Sequence, residues 1–93
     1  MRTLIARTKT GTFPFHLETE WIYGLYSDFS GNLHDLPAEW SKLLSNCKDR
    51  QTATELADFL EKLRPQGDEH VGDLIEWLRI NADSNAVFER EWF

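Results

Sequence analysis

Few side chains in this chain have the types and spacing that chemistry needs. His16, Glu18 and Glu20 stand two residues apart, so on an extended strand they would share one face, where they could hold a metal ion or act as an acid–base pair. Nothing near them in sequence builds a concave site, and the plainer reading is a polar, solvent-facing edge. Cys47 lies beside Lys48 and Arg50, whose charge could lower its pKa and make it a nucleophile. Its position on an apolar helical stripe, described below, reads instead as a buried, inert thiol. Gly11, Gly24, Gly31, Gly67 and Gly72 are too dispersed for a phosphate-cradling loop. One cysteine excludes a disulfide within the chain, and three scattered His form no thiolate-rich zinc pattern. These observations point to a protein that is not an enzyme and carries no cofactor and no metal. A very small hydrolase using Cys47 or His16 is the weakest of three functional readings.

The elements that would position such residues must fit into 93 residues, which suits a single domain spanning 1–93. Four Trp, six Phe and two Tyr supply large buried areas, enough for a compact core without covalent staples. The net charge is −6, which argues against nucleic acid as the main partner. Charge is also unevenly spread. Residues 1–17 hold Arg2, Arg7 and Lys9 with no acid, leaving seven basic and sixteen acidic residues, or −9, on the rest. With no apolar run of the roughly 20 residues a membrane span needs and no apolar leader, a soluble cytoplasmic protein is expected.

Residues 1–12 read as a basic arm or edge strand, with Leu4-Ile5-Ala6 its apolar part. Residues 13–32 read as a β-hairpin region. Phe13, Phe15 and Leu17 alternate with Pro14, His16 and Glu18, and Trp21-Ile22-Tyr23-Gly24-Leu25-Tyr26 is rich in β-branched and aromatic residues. Thr8-Lys9-Thr10-Gly11 and Ser27-Asp28-Phe29-Ser30-Gly31-Asn32 supply turns. From residue 33 the period becomes helical. Trp40, Leu43, Leu44 and Cys47 recur at i, i+3, i+4 and i+7, as do Leu56, Phe59, Leu60 and Leu63, and Val71, Leu74, Ile75 and Leu78. Pro37 suits the first turn of the first of these helices. Thr52 to Glu55 reads as a capping box, Pro65-Gln66-Gly67 as a stop and Asp68 as the next cap. Ser84 to Arg90 reads as a last short helical turn before Trp92-Phe93, a tail over the core. The expected fold is α+β, a small N-terminal antiparallel sheet packed against three or four short helices.

One constellation carries a resemblance. Gly24 is followed by a turn ending at Ser30-Gly31, then by Leu36-Pro37-Ala38-Glu39-Trp40 and Leu43-Leu44. This resembles the PAK-box, or CRIB, module of kinases and actin-regulating proteins that bind Rho-family GTPases. There a Gly-closed hairpin runs into a helix beginning hydrophobic-Pro-x-x-Trp-x-x-Leu-Leu. Residues 54–63 are similar to the helix that follows it, which in the kinases belongs to an inhibitory segment. In the strand that contacts the GTPase only Gly24 carries over directly, with Phe15 and His16 as candidates, and Ile22-Tyr23 stand where the family has His-Val. The resemblance implies Gly31, Pro37, Trp40, Leu43 and Leu44 as scaffold, with Trp40 buried against the strand containing Ile22.

The leading expectation is thus a non-enzymatic protein-binding module, a Rho-family GTPase effector or autoregulatory domain acting by strand addition. Its partner-binding residues would be Phe15, His16, Ile22, Tyr23, Gly24 and Tyr26, helped by Arg2, Arg7 and Lys9. The alternative is a small acidic inhibitor or adaptor that docks on a basic surface independently of nucleotide, using Asp58, Glu61, Asp73 and Glu76.

Overall fold

A computed structural model describes residues 2–63 and 69–92. Strand β1 (Arg2–Thr8) turns back into β2 (Gly11–His16), followed by one helical turn, α1 (Thr19–Ile22), and a second hairpin of β3 (Leu25–Ser27) and β4 (Leu33–Asp35). Helices α2 (Glu39–Asn46), α3 (Arg50–Leu63) and α4 (Glu69–Asp83) follow, and β5 (Val87–Trp92) closes the chain's described part. The fold is α+β, as the change of hydrophobic period from two to 3.6 requires.

The main sheet is antiparallel in the order β2-β1-β5. Its inner face carries Leu4, Ala6 and Phe88, all buried, with Phe15 packed beside them. Each of the three apolar helical stripes faces this core: Trp40, Leu44 and Cys47; Leu56 and Leu60; Val71, Leu74, Ile75 and Leu78. Leu43, Phe59 and Leu63 pack at the margin.

Several expectations change. Residues 2–8 are neither an arm nor an edge but the middle strand, because β5 returns to pair with them from Arg2↔Trp92 to Arg7↔Val87. Val87 to Trp92 is a strand, not a helical turn. Asn85, at φ 54°, takes the left-handed conformation that ends α4, and Glu89 and Glu91 then alternate with Phe88 and Arg90. The hairpin region expected over 13–32 is shared between two hairpins, 2–16 and 25–35, separated by α1. Trp21 and Ile22 are helical because Gly24, at φ 77°, closes the turn by donating its N–H to the Trp21 carbonyl. The region 33–93 therefore holds two strands besides its helices. The cap of α3 lies one turn earlier than Thr52–Glu55: the Thr52 N–H donates to Asp49 Oδ1 at 2.9 Å, and the Asp49 N–H donates to Thr52 Oγ1 at 3.0 Å. The stop at 65–67, the cap at Asp68 and the end residue Phe93 lie outside the described residues.

Candidate partner-binding site

The residues expected to form one binding strip are dispersed. Phe15 is half-buried between β2 and α4, its ring 5.2 Å from that of His70 and 5.6 Å from that of Trp77. His16 is exposed, with Nδ1 3.0 Å from Thr3 Oγ1. Glu18 precedes α1 and Glu20 lies within it, so His16, Glu18 and Glu20 share no strand face. Ile22 packs on the core. Tyr26 is buried, 6.3 Å from Trp21 and stacked on His34, which removes it from any partner's reach. The Gly24 carbonyl is also taken, accepting the Leu36 N–H at 2.7 Å. Arg7 donates to Glu89 across the sheet at 2.9 Å. Arg2 belongs to the central strand, and Lys9 stands exposed in the β1–β2 turn.

The two edges of the main sheet, β2 and β5, are poorly suited to strand addition. Leu17 N–H donates to the Arg2 carbonyl, so in β2 the odd positions bond to β1 and Thr12, Pro14 and His16 point their backbone outward. Pro14 has no N–H to offer there, a common guard on exposed edges. On β5, the outward Phe88 N–H is already taken by the Lys48 carbonyl, and the Arg90 side chain reaches the Cys47 carbonyl.

What the chain does present is the end formed by α1 and the β3–β4 hairpin. Tyr23 and Phe29 are each 76% exposed and Leu33 56%, three large apolar side chains within eleven residues. The turn that carries Phe29 is closed by the Asp28 side chain. Asp28 Oδ1 accepts the N–H of Ser30 and of Asn32, both at 2.9 Å, and Oδ2 lies 2.7 Å from His34 Nε2, which must be the donor to an ionised carboxylate. That contact with His34, followed by the backbone donors, holds the Asp28 carboxyl down to about 2. Its contribution to stability is therefore complete above the ordinary carboxylate value and is lost only as pH falls toward 2. Gly31, at φ 84°, completes the turn. Around it the stretch 18–40 carries Glu18, Glu20, Asp28, Asp35 and Glu39 with no Lys or Arg.

The scaffold residues hold this end to the body. Gly24 and Leu36 extend the hairpin, the Trp40 N–H donates to the Pro37 carbonyl as α2 begins, and Trp40 packs edge-on against Trp21 at 5.1 Å. Trp40 is buried as expected, but its neighbour is the helical Trp21, whose carbonyl accepts its indole N–H at 3.3 Å. Leu44 is buried behind it and Leu43 half-buried.

Phe29, Leu33 and the Asp28–His34 clip were not among the candidate residues read from sequence. An Asp opening a Ser-Gly-Asn turn was the available signal, since its side chain can close the turn on following N–H groups. Cys47 is fully buried, and desolvation pushes its thiol up to about 12. The folded protein should therefore resist iodoacetamide at pH 8, while denatured protein alkylates readily; equal rates, read by mass spectrometry, would contradict this burial.

Among the described residues no group of three or more His, Cys, Asp or Glu side chains is placed to hold a metal, and no helix is long and apolar enough to cross a membrane. No protein-family model, curated protein or solved structure matches the chain.

Proposed function

We propose that this chain is a non-catalytic protein-binding module whose docking surface is the hairpin end: Tyr23, Phe29 and Leu33 in an acidic surround. The observation that carries the reading is Phe29, an aromatic ring left 76% exposed on a turn whose backbone is fixed by Asp28. Preorganised aromatic side chains of this kind make effective anchors because little entropy is lost when they bind. The site fits a partner surface with an apolar pocket and basic surroundings.

The resemblance to the PAK box makes a GTP-loaded Rho-family GTPase in the cytoplasm the first partner to examine. The hairpin running through Leu36-Pro37 into α2 supports that choice. The second reading, an acidic adaptor indifferent to nucleotide, is supported by the exposed carboxylates of Asp58, Glu61, Asp73 and Glu76 on α3 and α4, of which Asp58 is paired with Arg79 at 3.1 Å. Calorimetry with a panel of Rho-family GTPases in GTP-like and GDP states separates them. The effector reading expects binding of the GTP-like state, weakened at least about tenfold by Phe29→Ala and by Tyr23→Ala. Equal affinity for both states excludes it in favour of the adaptor. Truncation is the clean change at Tyr23, since its N–H is bonded to the Thr19 and Glu20 carbonyls and Tyr23→Pro would break α1 itself.

A further inference from the structure

The β3–β4 hairpin has an edge unlike those of the main sheet. The Leu36 N–H donates to the Gly24 carbonyl at 2.7 Å and the Asp28 N–H to the Asn32 carbonyl at 2.9 Å, with Tyr26 opposite His34 between them. Inward-bonding positions alternate along an antiparallel pair, so residues 24, 26 and 28 bond to 36, 34 and 32. Leu33 and Asp35 therefore turn their N–H and C=O groups away from β3. Among the described residues no partner takes any of these four groups, and all three residues of β4 are exposed. The other edge of the hairpin differs: Leu25 and Ser27 are half-buried, with α1 packed beside β3. β4 also lacks the guards of the main sheet, since neither a proline nor another described segment occupies its outward positions.

Unpaired main-chain donors and acceptors in a row suit an extended chain, and the side chains beside them define its character. Leu33 and Asp35 lie on one face of β4, and His34 lies on the other, where it stacks on Tyr26. Asp35 has no ion pair among the described residues, and no Lys or Arg lies between Lys9 and Lys42 in the sequence. We propose that the outer edge of β4 receives an extended segment of a partner protein, running antiparallel. That segment carries a Lys or Arg opposite Asp35 and, two residues later, an apolar residue opposite Leu33. A second copy of β4 does not meet this requirement. The register that pairs all four main-chain groups sets Leu33 against Asp35 in both directions and leaves both carboxylates without a cation. The inference rests on the reading of the hairpin end as the docking surface and specifies how a partner engages it.

The test is to record amide spectra of the isotope-labelled chain as the peptide acetyl-Thr-Lys-Thr-Val-Thr-amide is added to about 5 mM, the range suited to a contact of a few hydrogen bonds. Shift changes and slowed amide exchange should centre on Leu33 and Asp35. Replacing the peptide Lys by Glu should weaken binding about fivefold. Methylating the Lys and Val main-chain nitrogens keeps the side chains, removes the donors and should abolish binding. On the protein, Leu33→Pro should bind about fivefold more weakly than Leu33→Ala, because both lose the side chain and only the first loses the outward N–H. That N–H is not bonded to β3, so the hairpin should persist, as the Tyr26 and Leu36 amide signals check. No binding at that concentration, equal binding of the methylated or Glu peptide, or changes that leave residues 33–35 undisturbed would each overturn the strand contact. So would slowed exchange at Leu33 and Asp35 that grows with protein concentration alone, since a second copy would then occupy the edge. Weakening of GTPase binding by Phe29→Ala alongside any of these results would leave docking at the hairpin end in place, so the two claims fail separately.

Discussion

Trp40→Ala should lower the unfolding free energy by about 3–5 kcal/mol, the range found for buried large aromatic side chains. Three separate losses contribute. The indole is only 4% exposed, so its removal leaves a cavity beneath the hairpin. Its edge-on contact with Trp21 disappears, and so does the hydrogen bond from its N–H to the Trp21 carbonyl. A chain of this size has roughly 5–14 kcal/mol in total, so the variant should unfold at markedly lower denaturant. Because Trp40 ties α2 to α1, amide protection should fall first around residues 19–36. A loss below about 1 kcal/mol in chemical denaturation would mean that the Trp21–Trp40 contact does not hold the hairpin end in place.

Removing residues 1–9 should have a still larger effect and leave no cooperative unfolding transition. β1 is the partner of both β2 and β5, and Leu4 and Ala6 are fully buried among the helices. Without it β2 and β5 have no neighbour, and the apolar faces of α3 and α4 lose their cover. A dispensable basic arm would behave oppositely: the shortened chain would keep its transition and lose only charge. Circular dichroism through a denaturant titration distinguishes the two, and a sharp transition near the wild-type midpoint would contradict the central placement of β1.

The helical half was more legible than the sheet for a physical reason. A stripe such as Leu56, Phe59, Leu60 and Leu63 reports its own buried face through local spacing. Strand position depends on partners far away in sequence. Leu4-Ile5-Ala6 looks like an ordinary short apolar run until β5 arrives from 80 residues later, and Ile5 lies on the sheet face opposite the core yet is 6% exposed because β2 and β5 flank it. Trp21-Ile22 has strand composition, and the left-handed Gly24 makes it a helical turn instead. The candidate site was only partly legible for the same reason. Tyr23 stayed exposed while Tyr26, three residues on, was drawn into the core by Trp21 and His34. Exposure of Phe29 follows from turn closure by Asp28, a feature of geometry more than of composition.

Docking of partners at the hairpin end, as proposed, involves residues 23–36. It is tested most directly by mapping amide chemical-shift changes in isotope-labelled protein as the GTPase that binds in the calorimetric panel is added. The largest changes should fall between Tyr23 and Leu36, centred on Phe29, and Phe29→Ala should abolish them without altering the spectrum elsewhere. Changes centred instead on Asp58, Asp73 and Glu76, with residues 23–36 undisturbed, would contradict it.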